Sequence, residues 1–106
     1  MQFLEYYKRA AGTVCDNANN VIRSQGECTQ ALRSLGFPTN ESYWTGSELG
    51  IPAGCSISQG GNNKPHMDTK DDVGVGRSDL IPICKKPESP GKFYLLVNRF
   101  EMLETI

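Results

Sequence analysis

Residues 50–86, GIPAGCSISQGGNNKPHMDTKDDVGVGRSDLIPICKK, decide the fold. Two cysteines, Cys55 and Cys84, enclose a stretch rich in glycine, asparagine and aspartate, with the single histidine of the chain, His66, between them. Such a stretch can be a ligand site, a metal loop, or a sheet with long solvated turns. The apolar residues fall in three short runs, at Cys55 to Ile57, His66 to Met67 and Leu80 to Cys84. Runs this short, bounded by turn residues, suit strands better than helices. The tracts between them, SQGGNN and TKDDVGVGRSD, are rich in residues that take positive φ or close their own turns. The sheet reading follows: three short antiparallel strands and the polar connections they need.

The same stretch offers little chemistry. His66 is the one imidazole base, and a triad needs a nucleophile and an orienting carboxylate beside it. Ser56, Ser58, Asp68 and Asp79 are present, but no nucleophile-elbow pattern surrounds them, so no catalytic residue is assigned and no enzyme is expected. Asp68, Asp71, Asp72 and Asp79 could approach calcium, yet the EF-hand spacing of alternating Asp, central Gly and terminal Glu is missing. A solvated turn is the better reading, and no metal or cofactor is expected. GVGR at 74–77 lacks both the third glycine of GxGxxG and the GK[ST] ending of a phosphate loop.

Working outward, SQGECTQALRSLGFP at 24–38 predicts the one strong helix. Ser24 and Glu27 have capping-box spacing. Cys28, Ala31, Leu32 and Leu35 recur at i, i+3, i+4 and i+7, and Gly36, Phe37 and Pro38 supply a stop. Cys28 is thereby placed on the buried face. Residues 2–11 put Phe3, Leu4, Tyr7 and Ala11 at helical spacing before Gly12, predicting a helical N-terminal extension over 1–12. Val21 to Arg23 reads as a brief strand. TNESYWTGSELGIPAG at 39–54 reads as a loop with one aromatic pair, Tyr43 and Trp44, and a lone Trp in such a loop is expected as a core plug. After KKPESPG, KFYLLVNRFEMLETI places Phe93, Leu96, Val97, Phe100 and Leu103 on one helical face, although FYLLV alone would also make a strand. The expected organisation is an N-terminal extension at 1–12, a module at 13–86 and an apolar C-terminal extension at 87–106.

Four cysteines, at 15, 28, 55 and 84, form no CxxC pair and have no histidine at zinc-knuckle spacing. An even number at wide separation in 106 residues reads as two disulfides, and hence an oxidising compartment, either an organelle lumen or the extracellular space. A chain this small needs such staples, because it buries a modest share of its surface. The 11 glycines, 6 prolines and 38% hydrophobic content fit a loop-rich α+β domain better than a helical bundle. The 11 basic and 12 acidic residues are mixed along the chain, without the basic tract that phosphate binding demands, so nucleic acid is not an expected partner. No run approaches the length of about 18 apolar residues that spans a bilayer, so no transmembrane segment is expected and membrane association would be peripheral. MQFLEYYKRAAG has charges where a signal sequence has its apolar centre, so Met1 is expected to open a mature or excised chain. Asn40 heads an NES triplet, a candidate glycosylation site on the secretory route.

The order of landmarks is Cys28 through Leu35-Gly36, Trp44, Pro52-Ala53-Gly54-Cys55, then Arg77 through Ile83-Cys84-Lys85. In this it resembles a poorly characterised cysteine-containing module found in many copies in proteins of algae and other marine eukaryotes. The resemblance covers about residues 13–86 and departs at Pro65-His66-Met67-Asp68, where those modules carry an aromatic residue followed by Asn. It implies a fold and a secretory or lumenal habit, with no catalytic residue. Cys15–Cys84 with Cys28–Cys55 is the favoured pairing. Sequential pairing stays open, since loop-closure arithmetic gives roughly 4 kcal/mol per bridge and does not decide between them.

The expected function is a non-catalytic interaction module docking on a larger protein assembly. In one concrete version, suggested by the resemblance, it is a lumenal accessory subunit of an algal photosynthetic complex. Phe93, Leu96, Val97, Phe100 and Leu103 would be the partner-binding residues. The alternative is a secreted domain binding glycans or cell-surface ligands through Tyr43, Trp44 and the polar 58–79 loops.

Overall fold

The computed structural model describes residues 5–60 and 63–86, so the expectations for Phe3, Leu4 and the C-terminal stripe Phe93 to Leu103 lie outside the described residues. Within it stand β1 (Tyr6–Lys8), a 3₁₀ turn (Ala18–Asn20), α1 (Gln25–Ser34), β2 (Trp44–Gly46), β3 (Gly54–Ser58), β4 (Pro65–Asp68) and β5 (Leu80–Lys85). The strands form one sheet in the order β1-β5-β3-β4-β2. This is a small disulfide-stabilised α+β domain with one helix packed on the sheet.

α1 forms where its caps require. Ser24 Oγ accepts from the Glu27 N–H at 3.2 Å, satisfying one of the first-turn amides that the helix itself cannot pair. The Glu27 carboxylate goes elsewhere: it accepts from the Tyr6 hydroxyl at 3.1 Å and lies 3.8 Å from Lys85 Nζ. At the other end Gly36 has φ +86°. Phe37 N–H donates to Leu32 O at 2.9 Å and Gly36 N–H to Arg33 O at 3.1 Å, the paired bonds of a Schellman stop.

The three strands read from the sequence are β3, β4 and β5, and β3 pairs antiparallel with each of the other two. Four expectations are corrected. The sheet is mixed, because β2 runs parallel to β4 in the register Trp44↔His66 and Gly46↔Asp68. The tract containing Tyr43 and Trp44 is thus partly a strand. The N-terminal extension, read as a helix over 1–12, is instead strand β1 at Tyr6–Lys8, paired antiparallel with Lys85, Cys84 and Ile83. A helix of a few residues is marginal in water, and this one would leave the β5 edge unpaired. Adjacent tyrosines also fit a strand, since they point to opposite faces. Tyr6 packs with the helix-side core, and Tyr7 with the cluster on the other side. The brief strand expected at Val21 to Arg23 is reduced to a single bridge, Val21↔Cys84.

Alternation along the strands gives the sheet two covered faces. Ile57, Cys55, Met67 and Ile83 meet Cys28, Ala31, Leu32 and Ile22 beneath α1. Each fully buried aliphatic side chain there stabilises by roughly 1.5–3 kcal/mol. The opposite face carries Cys84 with Cys15, Val21 and Ala53. Each face has its own disulfide, Cys28–Cys55 on the helix side and Cys15–Cys84 on the other. This is the favoured pairing.

Candidate functional site

The register of β2, β4, β3 and β5 lays one row of residues across the face away from α1: Trp44, His66, Ser56 and Pro82. Trp44 and His66 are partly exposed, whereas Ser56 and Pro82 are buried. The accessible part of the row is therefore its edge on β2 and β4.

Trp44 and His66 touch, with ring centroids 5.5 Å apart and planes inclined by 33°. The indole lies along its own strand over Gly46, where a Cβ would stand 2.9 Å from Trp44 Cη2 and 3.0 Å from Cζ2. A side chain at 46 would push against the ring and displace it. His66 Nδ1 is 3.1 Å from Lys64 O. A carbonyl oxygen only accepts, so in the neutral ring Nδ1 carries the proton and Nε2 keeps a lone pair. Burial pushes the imidazole pKa below 6.5, and the Arg77 and Lys64 cations add to this, outweighing the Lys64 carbonyl and Asp79. Both cations are engaged: Lys64 Nζ donates to Ser42 O at 2.7 Å, and Arg77 Nε lies 2.7 Å from Asp79 Oδ1.

Tyr43 is not part of this surface. Its ring packs against the helix-side core, and its hydroxyl lies 2.6 Å from Thr29 Oγ1. The core-plug role expected of Trp44 falls to Tyr43, and the two candidate ligand-binding aromatics are separated. Asn40 is exposed in the connection between α1 and β2.

Ser56, His66 and Asp68 share this face without forming a triad. Ser56 is fully buried, and its hydroxyl makes no hydrogen bond to His66. Asp68 is 1% exposed; its Oδ1 accepts from Glu48 N–H at 3.2 Å, while Oδ2 has no partner among the described residues. Asp72 accepts from Gly74 N–H at 2.9 Å, closing its own turn, and Asp79 pairs with Arg77. Among the described residues no three His, Cys, Asp or Glu side chains are grouped to hold a metal ion, and no helix is long and apolar enough to cross a membrane.

The glycines of GVGR serve packing. A Cβ on Gly74 would overlap the Ala53 amide, and one on Gly76 would overlap the Gly12 carbonyl. Ala53 N–H donates to Val73 O and Val75 N–H to Ile51 O, both at 3.0 Å, so backbone approaches backbone here.

A second feature lies at the Glu5–Lys86 end of the β1–β5 pair. Lys86 N–H donates to Glu5 O at 2.9 Å, and Lys86 Nζ lies 3.1 Å from Glu5 Oε1. No protein-family model, curated protein or solved structure matches this chain.

Proposed function

We propose that the chain is a non-catalytic interaction module that docks on a larger protein assembly in an oxidising compartment. The meeting of Glu5 and Lys86 carries this reading. Segments 1–4 and 87–106 both join the stapled core at that one place. The first contains Phe3 and Leu4, and the second contains Phe93, Leu96, Val97, Phe100 and Leu103. Apolar residues at i, i+3, i+4 and i+7 are the anchors with which a helix enters a partner's groove, and the apolar residues of the first segment add to those available for contact. The two disulfides agree with an oxidising compartment. The narrower version, a lumenal accessory subunit of an algal photosynthetic complex, rests on the sequence resemblance alone.

The test is deletion of residues 90–106, with native sizing and mass spectrometry of co-migrating proteins in a mild extract of the source. The shortened chain is expected to leave the large complex while its thermal unfolding is unchanged. A shortened chain that still co-migrates with the same stoichiometric partners would sink the reading.

A further inference from the structure

We propose that Trp44 and His66 form a binding site for a neutral glycan, seating one pyranose ring on the indole and accepting one of its hydroxyls at His66 Nε2. This goes beyond docking through the terminal segments and depends on none of residues 87–106.

The platform is built rather than incidental. Gly46 removes the side chain that would lift the indole off the strand, and the parallel register fixes His66 beside it. The indole is partly exposed, and the open part of its ring is a flat apolar surface that matches the axial C–H groups of a pyranose. Sites for small ligands pair such a surface with a few placed polar groups. Here the placed group is an acceptor. Because Nδ1–H donates to the Lys64 carbonyl, Nε2 of the neutral ring calls for a donor from the ligand, and a sugar hydroxyl is one. Charge argues for a neutral ligand. Lys64 is engaged by Ser42, and Arg77 by Asp79, so an anion would compete with bonds already made.

The experiment uses the full chain and exploits its single tryptophan, whose emission reports this site alone. Cellohexaose, laminarihexaose and chitohexaose are titrated to about 10 mM, a range suited to weak single-ring recognition, while emission and calorimetric heat are followed. A saturable response is expected for at least one of them. Trp44→Phe should weaken it by about tenfold and Trp44→Ala abolish the calorimetric signal, as for an aromatic anchor at the centre of a contact. His66→Ala should weaken it while the circular dichroism spectrum stays unchanged. Should a variant fail to fold, two-dimensional NMR of the native chain decides instead, since the ligand must shift the Trp44 indole and His66 resonances. Silence towards all three hexasaccharides would overturn the proposal. So would binding that survives in Trp44→Ala, or a response confined to a proline-rich peptide run as a control. Failure of the docking reading is a separate outcome, because deleting 90–106 should leave this titration unaltered.

Discussion

Gly54 sits so close to the carbonyl oxygen of Ile22 that a Cβ on it would overlap both that oxygen and the Val21 side chain. Its φ of +72° also lies where only glycine is unstrained. Gly54→Ala is therefore expected to cost more than about 3 kcal/mol, at the severe end for a single substitution. Gly36→Ala, strained in φ but with open space around it, should cost only about 1 kcal/mol. Urea denaturation of the two variants checks the order, and equal midpoints would refute it.

Removing the bridges one at a time separates the faces of the sheet. Cys15–Cys84 closes a separation of 69 residues and Cys28–Cys55 one of 27. Chain entropy assigns about 4 kcal/mol to each, which for a domain of this size lowers the melting temperature by about 15 °C or more. The variants Cys15→Ala/Cys84→Ala and Cys28→Ala/Cys55→Ala should each fold at low temperature, and the quadruple variant should not. Scanning calorimetry decides.

His66 gives stability a pH dependence of definite sign. Its folded pKa lies below the 6.5 of the free side chain, so below pH 6.5 the unfolded chain takes up the proton first. Its contribution is complete above pH 6.5, declines as pH falls through the folded pKa, and is level below that. Trp44 emission should also drop over the folded titration, because an imidazolium then stands 5.5 Å from the indole. His66→Gln should abolish both. An emission titration centred above 6.5 would contradict the assignment.

Ser56→Ala is expected to leave stability unchanged or raise it by up to about 1 kcal/mol, since the wild-type hydroxyl is buried without a partner among the described residues. Ser24→Ala, by contrast, removes a bond to a helix amide and should cost about 1 kcal/mol. Paired urea titrations test the contrast.

How far the sequence revealed this depends on how local each determinant is. The helix at 25–34 was legible because its caps, apolar face and stop are all written within 15 residues. Three strands were legible from short apolar runs between turn residues. β1 was not, because Phe3, Leu4, Tyr7 and Ala11 fit a helical spacing, and the choice of a strand rests with distant Ile83 to Lys85. β2 was missed for the same reason: its three residues become a strand only by pairing with β4. The candidate site follows suit. Trp44 and His66 each stood out as single residues, but their contact is a product of register, and the function of Gly46 appears only with the indole lying over it.

The nested closure of the chain has one more consequence. Cys28–Cys55 lies inside the loop that Cys15–Cys84 closes. A protease that cuts once anywhere between residues 15 and 84 therefore leaves the two pieces covalently joined. A single nick in either of the exposed turns, at Gln59 and Gly60 or at Asp71 and Asp72, leaves every strand covalently tethered to the rest. Damage to a loop thus does not release the fold, and the nicked molecule separates only when it meets a reductant.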